Sequence, residues 1–263
     1  MTGLVTPAHP AGTTLWMARG ESEVPTTQAW LSDDESARAS GLRFTKRRTE
    51  YLLRRWVCKQ AVAAAVGLPF DPSSLARIEV GNHPSGAPFV RVDRDLVELD
   101  VSLTDRAGWG VCLVGEDLSR VGCDLEIVEP RSEGFVTDFL TPHERAFVSS
   151  GSAADRDWAV NLIWSAKESA LKVLRTGLRR DTYSVEVVID DLAPGPAALR
   201  GWAPLEVRTA EGGRLPGWWR RDGAFLLTVA SERPLAPPVT LPGSVDLAAV
   251  RPVHSWVDRP LSP

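Results

Sequence analysis

Cysteine is scarce in this chain. The three that occur, Cys58, Cys112 and Cys123, are odd in number, widely spaced and set among apolar residues. That argues against a disulfide framework and against a zinc knuckle, and leaves them as small buried hydrophobes. Histidine is nearly as rare, and His9, His83, His143 and His254 form no pair at metal-ligand spacing. No apolar run approaches the roughly 18 residues of a membrane helix, and the chain start has neither the basic segment nor the apolar run of a signal peptide. Positive charge is not in excess either: a net charge of −4 offers no broad basic surface to a nucleic acid. The expectation is a cytoplasmic protein with no membrane and no nucleic acid as partner, in which any anion site is local.

What is present is ample for a core: 263 residues, 43% hydrophobic and 24% charged, enough for one compact domain or two small ones. "TLWMA" (14–18) reads as a strand. "LSDDESARASGLRF" then opens a short helix with Ser32 and Glu35 spaced as a capping box and closes it at Gly41. A long helix follows, with Leu53, Val57, Ala61 and Ala64 on one stripe and Arg48, Leu52, Arg55 and Lys59 on the opposite one, ending at Gly67. The short runs "ARIEVG", "APFVRV", "VELDVSLT" and "GWGVCLVG" predict an antiparallel meander. "VGCDLEIVE" predicts the next strand, and "FLTPHERAFVSS" a helix with Thr141 as N-cap, Pro142 at N1 and Glu144 closing a second capping box. A long helix spans about 155–175, and "YSVEVVID", "PLEVRT" and "GAFLLTVAS" read as strands before a Pro-rich tail. The two halves thus share an order of elements without a convincing sequence repeat.

Strand alternation puts Asp124 and Glu126 on one face, about 7 Å apart. In the long helix, Ala159, Leu162, Ile163, Ala166, Ala170 and Val173 form the apolar stripe, and Glu168 falls opposite, flanked by Trp164, Leu171 and Lys172. Two readings stay open for each feature. Asp124 and Glu126 are a solvated strand face or, with Glu168, an all-oxygen donor set for Mg²⁺, or Mn²⁺ in its place. Glu168 and Lys172 are an exposed i,i+4 ion pair or part of a cleft wall. The basic stripe with Lys46 and Arg47 is a wet helix face or a phosphate site.

"VGCDLE" followed by "WSAKESALK" resembles the paired signature of the Sfp-type 4′-phosphopantetheinyl transferases, G-x-D-x-E and W-x-x-K-E-x-x-x-K. The resemblance runs over roughly 14–232, taking in "LSDDESARASGLRF", "KRRTEYLLRR", "FLTPHE" and "WWRRDGAFLLTVA". It implies an α+β fold built as a pseudo-two-fold pair of similar halves, each with an antiparallel sheet packed on a long helix, and coenzyme A bound between them. The halves would be 1–118 and 119–234, the second carrying the metal motifs. The Pro-rich tail at 235–263 lies outside the resemblance and either folds over the body, with Trp256 and Val257 as a docking contact, or hangs free. It further implies a monomer that moves 4′-phosphopantetheine from coenzyme A to a serine of an apo acyl or peptidyl carrier protein, releasing 3′,5′-adenosine bisphosphate. Asp124, Glu126 and Glu168 would hold Mg²⁺, Glu168 would take the serine proton, and Lys172 would stabilise or protonate the leaving phosphate. Lys46, Arg48, Arg55 and Thr104 are the residues expected to contact coenzyme A.

Two positions depart from the family pattern. Its S-x-S-H is "SLTD" here, with Thr104 at the second serine and Asp105 at the histidine, and its G-K-P turn is Gly86-Ala87-Pro88. The nucleotide contacts are then remodelled, with Arg106, Arg48, Arg55, Lys46 and His83 as substitutes, or the chain is a non-catalytic relative that binds coenzyme A or a carrier protein as a scaffold or regulator.

Overall fold

A computed structural model describes residues 13–116, 120–188 and 201–253. His9, His254, Trp256 and Val257 lie outside the described residues. Contacts divide the chain into two units: Met1–Leu118 with Pro238–Val245 and Val253–Pro263, and Ser119–Pro237 with Asp246–Pro252. Each is a mixed α+β assembly of mainly antiparallel strands with one long helix, in keeping with the expected class.

The first unit contains β1 (Thr14–Gly20), α1 (Asp33–Gly41), α2 (Thr45–Val66), α3 (Pro72–Ala76), β2 (Ile78–Asn82), β3 (Pro88–Val92), β4 (Asp95–Leu96), β5 (Leu99–Arg106) and β6 (Trp109–Glu116). The expected meander is split. β2, β3 and β4 form one sheet, while β5 and β6 join β1 in another of order β12-β1-β6-β5, where β12 (Val239–Thr240) runs parallel to β1. Asp93 and Arg94 both have positive φ, 52° and 74°, forming the two-residue turn that folds β3 straight back onto β4. Leu53, Val57 and Ala61 of α2 reach the core with Leu15, Met17 and Val114. Gly67 caps α2 in the left-handed conformation at φ 72°.

The stripe of α2 read as basic is largely inside. Lys59 is fully buried, 2.5 Å from Glu35 Oε2, and donates to the carbonyls of Trp30 and Leu75. Glu35 closes the capping box on Ser32 and also accepts the Val80 N–H through Oε1. Burial pulls the Lys59 pKa down against the pull of Glu35.

The second unit contains β7 (Val121–Ile127), α4 (Glu133–Phe139), α5 (Pro142–Ser150), α6 (Ala153–Val173), β8 (Val185–Val187), β9 (Ala203–Thr209), β10 (Arg214–Asp222) and β11 (Phe225–Ser231). Its sheet has the order β7-β11-β10-β9-β8, antiparallel at every pairing. Ala159, Leu162, Ile163, Ala166, Ala170 and Val173 of α6 are buried as the periodicity required, and Leu171 joins the same core. The fastening seen in the first unit recurs. Glu144 closes the box on Thr141, accepts the Val187 N–H through Oε1, and meets Lys167 Nζ at 2.7 Å, with both side chains wholly buried. Burial raises the Glu144 pKa and lowers that of Lys167, each opposed by its partner. Each unit therefore ties a short capped helix, a long helix and a strand together through one Glu–Lys pair.

Candidate active site

Gly122, Asp124 and Glu126 share the face of β7 that lies against α6. A Cβ at Gly122 would stand 2.0 Å from the Ser169 carbonyl oxygen, so only glycine admits the helix this close. Two helix serines complete the contact. Ser165 Oγ donates to the Asp124 carbonyl at 3.1 Å, Ser169 Oγ donates to the Thr228 carbonyl at 3.1 Å, and both hydroxyls meet Thr228 Oγ1. Asp124 and Glu126 are 7% and 8% exposed, which removes the solvated-face reading.

The row Trp164, Glu168, Lys172 of α6 meets these carboxylates. Lys172 does not close the i,i+4 pair with Glu168. Its ammonium donates to Asp124 Oδ1 at 2.9 Å and to the Cys123 carbonyl at 2.7 Å. Burial works against that charge, but Asp124 prevails and the Lys172 pKa is raised. Trp164 Nε1 donates to Glu126 Oε1 at 3.0 Å, while its ring packs on Phe135 and Phe139 at centroid distances of 5.1 and 4.8 Å. Glu126 Oε2 accepts from Arg131 at 2.8 Å. Glu168 makes no hydrogen bond or ion pair among the described residues, and its Oε1 is buried. Burial first, then Asp124 and Glu126, push its pKa up to about 7, with Lys172 opposing.

This donor set fits a divalent cation in chemistry: oxygen only, with Glu168 Oε1 buried and lacking a hydrogen-bond partner and an excess of negative potential around it. As the side chains stand, no group of three or more His, Cys, Asp or Glu among the described residues forms a metal-holding cluster. The expected triad is gathered on one face, but both Glu126 oxygens are engaged, which leaves Asp124 and Glu168 as the better-fitting pair.

The four residues expected to contact coenzyme A all lie in the first unit. Lys46 is exposed and pairs with Glu50 at 3.8 Å. Arg48 donates to the Leu42 carbonyl at 2.6 Å. Thr104 is buried on β5 opposite Val111. Arg55 is buried, stacks over Tyr51 at 4.6 Å and donates to Asn82 at 3.1 Å. It lines a pocket of about 490 Å³ together with Arg38, Tyr51 and Asn82. Asp105 is ion-paired with Arg54, a partner not anticipated. Burial, then Asp105, raises the Glu50 pKa one turn before it.

Arg131 and Asn161 were also missed. Arg131 lies beyond the end of β7, where strand alternation no longer says which way a side chain turns. Asn161 sits among the apolar residues of α6, and an amide inside a hydrophobic stripe was the one available signal.

Residues 120–216 match the family described as the 4′-phosphopantetheinyl transferase superfamily. The resemblance carried by "VGCDLE" and "WSAKESALK" is thereby borne out for the segment that contains both motifs. No curated protein matches the chain. Among solved structures it is similar to a holo-(acyl-carrier-protein) synthase from Bacillus anthracis str. Ames in complex with CoA (3′,5′-ADP), at 23% identity and TM-score 0.33, covering 40% of this chain and 96% of that one. It is also similar to the holo-[acyl-carrier-protein] synthase of Thermotoga maritima, at 19% identity and TM-score 0.34, covering 50% of this chain and 76% of that one.

Proposed function

We propose, from the premise that residues 120–216 are a segment of the 4′-phosphopantetheinyl transferase superfamily, that the chain transfers 4′-phosphopantetheine from coenzyme A to a carrier-protein serine. The observation that carries this reading is Glu168: a buried carboxyl group with its pKa near 7, facing Asp124 and Glu126, on the helix that also supplies Lys172. In the reaction the serine oxygen forms a bond to the β-phosphorus of coenzyme A, and the bond from that phosphorus to 3′,5′-adenosine bisphosphate breaks. Glu168 accepts the serine proton, directly or through a water. Lys172, held against Asp124, keeps a positive charge beside the departing phosphate. Asp124 and Glu168 would hold a divalent cation, Mg²⁺ or Mn²⁺, with Glu126 beside them. Bound there, the ion would neutralise charge on the diphosphate under attack.

Incubation with coenzyme A, Mg²⁺ and a panel of apo acyl and peptidyl carrier proteins is expected to add the phosphopantetheine mass to a carrier. Glu168→Gln is expected to slow transfer at least about a hundredfold without loss of fold. No transfer to any carrier by the folded wild type would overturn the assignment.

The scaffold reading draws on Asp105 and Ala87. The ion pair from Arg54 offsets the charge of Asp105 and so removes the stronger of those two arguments. Calorimetry with coenzyme A separates the readings: binding enhanced by Mg²⁺ favours the enzyme, and tight binding indifferent to Mg²⁺, without turnover, favours the scaffold.

A further inference from the structure

The three carboxylates of the face are not held alike. Glu168 receives no donor among the described residues. Asp124 Oδ1 meets the Lys172 ammonium, which sits on a flexible stem. Glu126 is fixed through both oxygens, by the Trp164 indole on Oε1 and by Arg131 Nη2 on Oε2 at 2.8 Å.

Arg131 is itself fixed from three further sides. Its Nε donates to Asn161 Oδ1 at 2.7 Å, its Nη1 lies 3.5 Å from Glu129 Oε1, and its guanidinium lies 4.9 Å over the Phe135 ring. Asn161 in turn is fully buried and donates to the Glu129 and Asp157 carbonyls at 2.6 and 2.7 Å. A planar guanidinium oriented by packing and by a tethered amide gives up little freedom when it binds a carboxylate, so this contact is hard to displace. For Glu126 to ligate a cation through Oε2, the Arg131 bond must break first, and the guanidinium charge must remain next to the incoming ion.

We infer that Arg131 is a positioning residue that holds Glu126 outside the ligand set of the divalent cation, leaving Asp124 and Glu168 as the protein ligands and keeping cation affinity low. The inference rests on the reading of this face as a cation site.

Titration of Mn²⁺ into the metal-free full chain, without coenzyme A, tests both. Arg131→Gln is expected to tighten Mn²⁺ binding roughly ten- to a hundredfold, the range of one charge-assisted hydrogen bond. Glu126→Gln should leave affinity within about threefold of wild type, whereas Glu168→Gln should weaken it more than about tenfold. The gain from Arg131→Gln should shrink when Glu126→Gln is added, because only the loss of the guanidinium charge then contributes, a coupling that a purely structural role for Arg131 does not produce. Arg131→Lys, which keeps the charge without the fork, should fall between wild type and Arg131→Gln. Should Arg131→Gln fail to fold, Arg131→Lys and Glu126→Gln carry the test. Wild-type binding left unchanged or weakened by Arg131→Gln, or a Glu126→Gln loss as large as that of Glu168→Gln, overturns the inference and leaves the cation site standing. Absence of Mn²⁺ binding by both wild type and Arg131→Gln overturns the cation site and the inference with it.

Discussion

At Glu168 a buried carboxyl group shares a face with two others, and the pKa rises from 4.5 to about 7 through burial, then Asp124, then Glu126, against the pull of Lys172. A folded-state pKa above the unfolded one means that the folded chain holds its proton longer. The corresponding stability is complete below pH 4.5 and is lost as pH rises through about 7. Metal-free protein is therefore expected to lose about 2 kcal/mol between pH 5 and pH 8 through this one group. Glu168→Gln, neutral and of the same shape, should lack that loss, so urea unfolding of the two proteins at both pH values should show the variant gaining on wild type at pH 8. Equal pH dependence would refute the raised Glu168 pKa.

At the scale of the element, the strand and the helix that carry the motifs were readable because their periodicities are long and regular. Asp124 and Glu126 fell on one face of β7 by alternation, and Glu168 fell opposite the apolar stripe of α6 by angle. What periodicity does not encode is which side chain on the far element each one meets. Lys172 therefore looked like a partner for Glu168 when it belongs to Asp124, and Arg131, five residues beyond Glu126, was invisible. The same limit hid the inward turn of Arg55 and Lys59, since a buried cation is paired by distant backbone and carboxylate groups. Nor does periodicity announce the β3–β4 hairpin, which turns on two positive φ angles in a sequence, Asp93-Arg94, without glycine. The glycine of the G-x-D-x-E pattern has a plain steric meaning here, because its missing Cβ makes room for the Ser169 carbonyl. Gly122→Ala is expected to destabilise the second unit by about 1 to 3 kcal/mol and to separate α6 from β7. Chemical denaturation should detect the loss, and a return of the Glu168 pKa toward 4.5, followed by carboxyl NMR, should report the separation.

At the scale of the whole molecule, the Pro-rich segment read as a tail is partly structural. β12 extends the first sheet beside β1, Leu241 is buried in the first core, and Leu247 is buried on the other side of the unit division. Truncation after Pro237 is expected to cost about 3 kcal/mol or more, the burial of two leucines, and a thermal melt indistinguishable from that of the full chain would refute it. The Glu–Lys fastenings carry a consequence of another kind. Lys167 and Glu168 are adjacent letters in "WSAKE", about 100° apart around α6. One must reach Glu144 in the interior and the other must face Asp124. A helix rotated or slipped by a single residue would strand a bare ammonium in oil and aim the Glu168 carboxylate at the wrong wall. The buried pair thus acts as a checksum on helix register, so that any α6 folded well enough to hide Lys167 has already aimed Glu168.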